Sequence, residues 1–421
     1  MLHAFTNNEP VFIEIPRDLI FMKTQSLKLP EKLDDIAVNR ISYNSTEVIV
    51  EEIREKLISS KKPAIYFGGA LKLNKKLKTL VLQFCEKNSI PFVSSWFGKG
   101  ILDDFHPLSL GAYNGVFTDP QNRKYFENEV DYILEIATSV YKMDANSAFG
   151  TGTHILDKFE NKTILNGTSK LQVDLISIFE KLMEIDFLNF SYNEKQTETP
   201  LISPESRVDF NNLTTVLNEL QTNNNKSFIY LPEVGNSYFA SYSLKIKSSS
   251  ISRGWLCNAW YGAMGTSMPY ARAVCELLNE NKSSDVAIVI TGDGGFHFQL
   301  NELIHFQQNK LNVIILYMRN NIFHLGKNSN AKIYNCSNAD FNVQKLIESY
   351  GGTFHKCSLK REFETKLIEL IEQNKGVHLV EIPVVPSEEF QCREIQLLNT
   401  YISAKNGVEK AVELWREIIN E

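Results

Sequence analysis

Asp293 and Asn321 are the residues whose types and spacing could do chemistry together. Asp293 sits in Thr291-Gly292-Asp293-Gly294-Gly295, and Asn321 ends the pair Asn320-Asn321. A carboxylate and an amide oxygen are hard ligands, of the kind Mg²⁺ takes when it also keeps phosphate oxygens. Gly292, Gly294 and Gly295 lack a Cβ, so their backbone amides can approach a phosphate closely. By itself this tetrad fits two readings. It is a glycine turn with solvated caps, or one half of a phosphate–metal site. Short glycine motifs match by accident, so the spacing must decide. Between Gly294 and Asn320 lie 25 residues, room for one helix and one strand.

The flanking sequence supplies those elements. Val286 to Ile290 is an unbroken apolar run of the kind found in buried parallel strands. A helical pattern covers about Phe298 to Gln308, with Leu300, Leu303, Ile304 and Gln307 on one face. Its positive N-terminal end would point at the glycines. Val313 to Tyr317 reads as a second buried strand. The unit is βαβ, with polar groups at the carboxyl ends of both strands, where ligands of open α/β sheets bind.

The totals narrow the class. The chain has 421 residues, 43% hydrophobic and 22% charged, with a net charge of −6. That is a globular composition, with neither a basic footprint for nucleic acid nor an apolar run long enough for a membrane helix. The first residues carry no basic-then-apolar leader pattern. Six scattered cysteines without a CxxC pair read as reduced thiols in a cytoplasmic protein.

In chain order, Pro10 to Asp18 (PVFIEIPRD) reads as a buried strand stopped by proline. Residues 27–44 are a polar linker. An α/β unit over 45–186 follows: a helix from Ser45 or Thr46 to about Ile58 with Val48, Ile49, Ile53 and Leu57 as its apolar face, a strand Ala64 to Phe67, a helix of about Asn74 to Lys87, strands Pro91 to Ser94, Val130 to Ile136 and Thr163 to Leu165, and a helix Val173 to Met183. It contains GKGILDDFHPLSLGAYNG but no GxGxxG. His106 in this stretch reads as a loop residue. A second linker spans 187–207. The last α/β unit covers 208–386, with a helix Asn211 to Leu220, a strand Phe228 to Leu231 ending in PEVGNS, and the segment Trp260-Tyr261-Gly262-Ala263-Met264-Gly265. It closes with a helix Phe341 to Tyr350 stopped by Gly351-Gly352, a helix of about Glu362 to Gln373 and a strand Val377 to Ile382. Residues 387–421 are a helical tail with Ala411, Leu414, Trp415 and Ile418 in register. The fold class is therefore α/β, with two doubly wound parallel-sheet domains.

GDG, some two dozen residues and NN together resemble the diphosphate–Mg²⁺ motif of thiamine diphosphate (ThDP) enzymes, in the branch of pyruvate and indolepyruvate decarboxylases and acetolactate synthase. The GKGILDDFHPLSLGAYNG and GAMG stretches are similar to the central domain and to the GAMG segment of the same branch. The resemblance implies that Asp293, Asn321 and the backbone carbonyl of Phe323 hold Mg²⁺. It also implies that Gly262, Gly292, Gly294 and Gly295 line the cofactor and that Met264 wedges beneath it, bending its two rings together. Asn236 and Ser237 either touch the diphosphate or cap the next helix. PVFIEIPRD resembles the last strand of the family's pyrimidine-binding domain, so residues 1–26 are expected to be a C-terminal remnant of that domain.

Past Asn321 the sequence departs from these relatives. Phe323 stands where a glycine is usual, and Lys327 where a glutamate assists decarboxylation. His324 is a candidate for meeting substrate, or an exposed loop residue. The resemblance implies ThDP- and Mg²⁺-dependent decarboxylation of a 2-oxo acid. A homo-oligomer, dimer or tetramer, is expected, with a separate pyrimidine-domain subunit as a further partner. The alternatives are an acetolactate synthase-like carboligase and a non-catalytic subunit that keeps the fold. A nucleotide-binding α/β protein using GDGG for phosphate is a weaker rival.

Overall fold

The computed structural model describes residues 12, 14, 46–138, 161–165, 173–187, 190, 192, 201–251, 253–259, 261–323, 336–337, 341–384 and 392–420. The PVFIEIPRD strand falls outside the described residues except for Phe12 and Glu14, which are exposed and in no regular element.

The first unit opens with α1 (Thr46–Ser59) and β1 (Pro63–Phe67), then α2 (Lys75–Asn88), β2 (Phe92–Ser94), β3 (Ser109–Ala112), α3 (Pro120–Asn128), β4 (Tyr132–Ile136), β5 (Lys162–Leu165) and α4 (Leu175–Glu184). Its five strands are all parallel, in the order β3-β2-β1-β4-β5. β1 and β4 lie in the middle and are buried at every position, which is why, apart from Glu135 on β4, their sequences are apolar runs rather than alternations. Side-chain caps set the helix starts. Asn74 accepts from the Leu77 amide, Asp119 from those of Gln121 and Asn122, and Asp174 from that of Ile176, each satisfying a first-turn donor that the helix leaves over.

The second unit runs through α5 (Leu213–Thr222), β6 (Phe228–Pro232), α6 (Asn236–Ala240), α7 (Ser267–Glu280), β7 (Val286–Gly292), α8 (Asp293–His297), α9 (Glu302–Gln308), β8 (Val313–Arg319), the short strands β9 (Ile322–Phe323) and β10 (Cys336–Ser337), α10 (Val343–Ser349), β11 (Thr353–Lys356), α11 (Lys360–Gln373) and β12 (Val377–Pro383). Two further helices, α12 (Arg393–Lys405) and α13 (Glu409–Asn420), complete the chain. The sheet order is β11-β12-β8-β7-β6, again all parallel, while β9 and β10 form a separate antiparallel ribbon.

Several local expectations need correction. The buried face of α1 is Val50, Ile53 and Leu57, with Val48 69% exposed; the helix is rotated so that Val50 takes the inward place. The helix after GDGG begins at Asp293 and breaks at Phe298, so α8 and α9 replace one longer helix. On α9 the buried residues are Leu303 and Phe306, and Ile304 faces outward. β3, α3, α7 and β11 were not foreseen. α3 is largely polar and buries only Tyr125 and Phe126, and β11 is an edge strand whose ends are exposed, so neither carries a strong periodic signal.

The two sheets meet along a packed seam. The Asp104 amide donates to the Ile246 carbonyl at 2.8 Å, and the Gly254 amide to the Gly100 carbonyl at 3.0 Å. Gly100 has φ +73°, and a Cβ there would lie 2.9 Å from the Trp255 nitrogen. Lys99 is 2% exposed; its Nζ donates to the Leu244 carbonyl at 2.7 Å and lies 3.5 Å from Asp104 Oδ2. Trp96 packs against Tyr238 and Tyr242, ring centroids 5.1 and 4.6 Å apart. Arg123 on α3 reaches the carbonyls of Ile418 and Ile419 at the end of α13.

Candidate functional site

β7 and β8 are adjacent and in register, Gly292 opposite Met318. Asp293, the first residue after β7, and Asn320, the first after β8, therefore leave the sheet at neighbouring strand ends. This brings the two motif halves together: Asp293 Oδ1 accepts from the Asn320 amide at 3.2 Å. Asn321 adopts φ +61°, a left-handed conformation that asparagine tolerates better than most residues. Asp293 is buried. Its charge and the burial of Tyr317 push that phenol well above its usual range, burial being the larger cause.

Arg319 was not singled out in the sequence, yet it stands at the centre of this corner. Its Nε donates to Asn321 Oδ1 at 2.5 Å, Nη1 to Glu381 Oε2 at 2.8 Å, and Nη2 to the Phe341 carbonyl at 3.0 Å. Glu381, buried on β12, gives its other oxygen to Lys356 Nζ at 3.0 Å. Burial works against the guanidinium charge, but hydrogen bonding and attraction from Glu381 outweigh it and raise its pKa. Beside it, His297 ends α8 with its ring 4.3 Å from that of Phe341. Burial first, then Arg319, lowers its pKa.

Glu233 is the second residue the sequence did not reveal. It follows β6 and is fully buried. Its carboxylate accepts from the backbone amides of Gly265, Thr266 and Ser267 at 3.1, 3.2 and 3.2 Å, from Ser267 Oγ at 2.9 Å and from Gln299 Nε2 at 2.6 Å. Gln299 in turn accepts from the Met268 amide at 2.8 Å. An anion thus sits at the N-terminus of α7, satisfying donors the helix leaves over. The same group explains Gly295, where a Cβ would lie 2.2 Å from Glu233 Cγ. Glu233 was legible only as a polar residue at a strand end.

This clasp fixes the loop that carries Met264. Gly262 and Gly265 both have positive φ, +68° and +88°, and the loop side chains Tyr261 and Met264 are 87% and 42% exposed. Phe298, whose Cβ lies 3.3 Å from where a Gly265 Cβ would be, is exposed as well. Asn236 and Ser237 form the first turn of α6 after Gly235, which has φ +113°. Ser237 is buried, and Cys392 approaches the Asn236 carbonyl at 3.8 Å. Phe323 lies in the β9–β10 ribbon, opposite Cys336. His324 and Lys327 lie outside the described residues.

These residues can be tested against a diphosphate and its metal. A Cβ on Gly292 would meet only the Met318 carbonyl, at 3.9 Å, so the backbone is open on that side, as close approach of a phosphate requires. Asp293 and Asn321 supply the hard oxygens a magnesium ion takes, although Asn321 Oδ1 already holds an arginine. Among the described residues no group of three or more His, Cys, Asp or Glu is placed to hold a metal. The corresponding crevice of the first sheet, between β1 and β4, is filled by backbone: a Cβ on Gly68 would lie 2.5 Å from the Ala137 carbonyl oxygen. Among the described residues no helix is long and apolar enough to cross a membrane, and Cys85, Cys257, Cys275, Cys357 and Cys392 are free thiols.

Comparison with known proteins finds family matches over both units. Residues 233–382 match the C-terminal TPP binding domain of thiamine pyrophosphate enzymes, and residues 50–165 match their central domain. The acetolactate synthase large subunit of Buchnera aphidicola subsp. Schizaphis graminum is 22% identical over 92% of this chain and 70% of its own length. Pyruvate decarboxylase of Candida albicans is 24% identical over 76% of this chain and 56% of its own. A solved structure from Mycobacterium smegmatis, described as a thiamin diphosphate-dependent enzyme, superposes with a TM-score of 0.61 at 13% identity, covering 83% of this chain and 67% of that one. The chain belongs to the thiamine pyrophosphate enzyme family, carries its central and C-terminal TPP-binding domains, and is homologous to acetolactate synthase and pyruvate decarboxylase.

Proposed function

We propose that this chain acts in a ThDP-dependent enzyme of the acetolactate synthase type, which joins the two-carbon unit left by decarboxylation of one 2-oxo acid to the carbonyl of a second. The observation that carries the reading is the corner where Asp293, the Asn320-Asn321 turn and Gly292 meet at the ends of neighbouring strands. Relatives named acetolactate synthase large subunit favour carboligation over simple decarboxylation as the outcome. Bound ThDP would supply a carbanion that adds to the 2-oxo carbon and stabilises charge as CO₂ leaves.

The roles left to the chain follow from its residues. The open backbone at Gly292 would accept the diphosphate, with Asp293 and Asn321 as ligands toward Mg²⁺. Met264, a soft apolar side chain on a loop held by Glu233, would pack under the thiazolium. Tyr261 and Phe298 beside it would exclude water. We also propose that the aminopyrimidine half of the cofactor is held by a surface outside residues 46–420, in a homo-oligomer or on a separate subunit. Pyruvate decarboxylase is the second reading, supported by the Candida albicans relative.

The test is product analysis. The chain is given pyruvate, ThDP and Mg²⁺, first alone and then with the pyrimidine-binding domain of an acetolactate synthase as a separate polypeptide. Acetolactate is the expected product. Acetaldehyde without acetolactate would favour the second reading, and neither product in either arrangement would sink the enzymatic reading.

A further inference from the structure

The residues read as facing the cofactor lie on two separate pieces of backbone. Asp293 opens α8 directly after β7, and Met264 stands on the loop of residues 261–266 ahead of α7. The start of that loop is held by Asn258, from within the same segment. The Asn258 carbonyl accepts from the Gly262 amide at 2.9 Å, and its Oδ1 from the Tyr261 amide at 3.3 Å. The end of the loop is held from outside, by Glu233. Oε1 takes the Gly265 amide, while Oε2 takes the amides of Thr266 and Ser267 and the Ser267 hydroxyl.

Glu233 also touches the α8 segment twice. The Gly295 backbone packs against its Cγ so closely that no Cβ fits. Gln299, two residues past α8, donates from Nε2 to Glu233 Oε2 at 2.6 Å and to Ser267 Oγ at 2.9 Å. Between these contacts the chain is braced, the Phe298 amide on the Gly294 carbonyl at 3.3 Å and the Gln299 amide on the Phe296 carbonyl at 3.1 Å. A shift at Asp293 is therefore carried by α8 to Glu233. The carboxylate's bonds to the three loop amides, at 3.1, 3.2 and 3.2 Å, are longer than the roughly 2.7–2.9 Å usual for charge-assisted pairs, whereas the bond to Gln299 is not. The loop side is the part of this clasp with room to tighten.

We propose that Glu233 is a positioning residue that couples the diphosphate corner to the Met264 loop. A diphosphate held at Gly292 and Asp293 shifts α8, and Glu233 passes the shift on by tightening on Gly265, Thr266 and Ser267. The inference rests on reading the Asp293–Asn321 corner as the diphosphate seat. It gives the exposed Met264 side chain a fixed place when that seat is filled, through the backbone that carries it.

Hydrogen exchange of the full chain, read by mass spectrometry, tests this with saturating inorganic pyrophosphate and Mg²⁺ as the probe. Calorimetric titration of the same samples establishes binding. In the wild type, pyrophosphate should slow exchange of the 261–268 peptide about fivefold or more, relative to the Tyr132–Ile136 strand as internal reference. Glu233→Gln and Gln299→Met, checked for folding by their melting temperatures, should bind pyrophosphate yet keep less than about twofold of that slowing. Direct shielding of the loop by the ligand would preserve the slowing in both variants, and a merely structural clasp would give none in the wild type. Either result, with calorimetric binding present, overturns the inference and leaves the diphosphate reading in place. No binding of pyrophosphate by the wild type would overturn the diphosphate reading and this inference with it.

Discussion

A methyl group on Gly295 would sit 2.2 Å from Cγ of Glu233. The last glycine of the GDGG tetrad is therefore required by a carboxylate more than 60 residues earlier, which gathers the amides of Gly265, Thr266 and Ser267. Gly295→Ala should destabilise the protein by about 1–3 kcal/mol, the usual cost of overpacking a buried site. Glu233→Asp, which withdraws the carboxylate by one methylene, should show a non-additive interaction with it. Chemical denaturation of the two single variants and the double variant measures that coupling; simple additivity would mean the contact is relieved by backbone movement.

Met264 separates stability from function. Its side chain is 42% exposed, so Met264→Ala should change stability by no more than about 0.5 kcal/mol. If it packs beneath the cofactor, misplacing the reacting ring by about an ångström should lower turnover roughly 100-fold. A variant with unchanged melting temperature and unchanged kcat would remove Met264 from the site.

Lys99 and Asp104 form a buried pair in the seam, and burial lowers the lysine pKa and raises the aspartate pKa, their mutual attraction opposing both shifts. Replacing one partner leaves the other without its counter-charge. Lys99→Met or Asp104→Asn alone should cost about 3–5 kcal/mol, and the double variant less than the sum of the two. Denaturation curves of the three variants read this directly.

Three histidines bear on pH. Burial, as the largest cause, lowers the pKa of His297, His355 and His378. His378 Nε2 faces the Lys375 carbonyl at 2.7 Å and Nδ1 faces Thr353 Oγ1 at 2.6 Å, an arrangement that suits the neutral ring with its proton on Nε2. Because the folded pKa values lie below the unfolded one, the unfolded chain binds more protons at mildly acidic pH, and stability rises with pH there. Stability should therefore be at its histidine plateau above about pH 6.5 and fall as pH drops below that ordinary value. Melting temperatures between pH 5 and 8 test the sign, and His378→Gln should flatten the slope.

How much was legible depended on whether the signal was local. The apolar runs of β7 and β8 declare themselves because central parallel strands are buried on both faces. The spacing from Gly294 to Asn320 showed that a helical segment and a strand separate the motif halves, but not that the helical segment breaks at Phe298. Glu233 with Gln299, and Arg319 with Glu381, could not be read, since each pair joins residues more than 60 positions apart. No local pattern distinguishes a buried carboxylate from a solvated one. Val48 and Val50 illustrate the same limit on a smaller scale: both are apolar, and only packing against the sheet decides which turns inward.

The seam between the sheets has a calorimetric consequence. Lys99, Gly100 and Trp96 on one side are complete only against Leu244, Trp255 and Tyr242 on the other. Each half thus closes part of the interior of its neighbour, and separating them would expose Trp96, Lys99 and Trp255, all buried here. On heating, the two layers are expected to absorb heat in one shared peak, with van't Hoff and calorimetric enthalpies that agree, even though the chain contains two complete sheets.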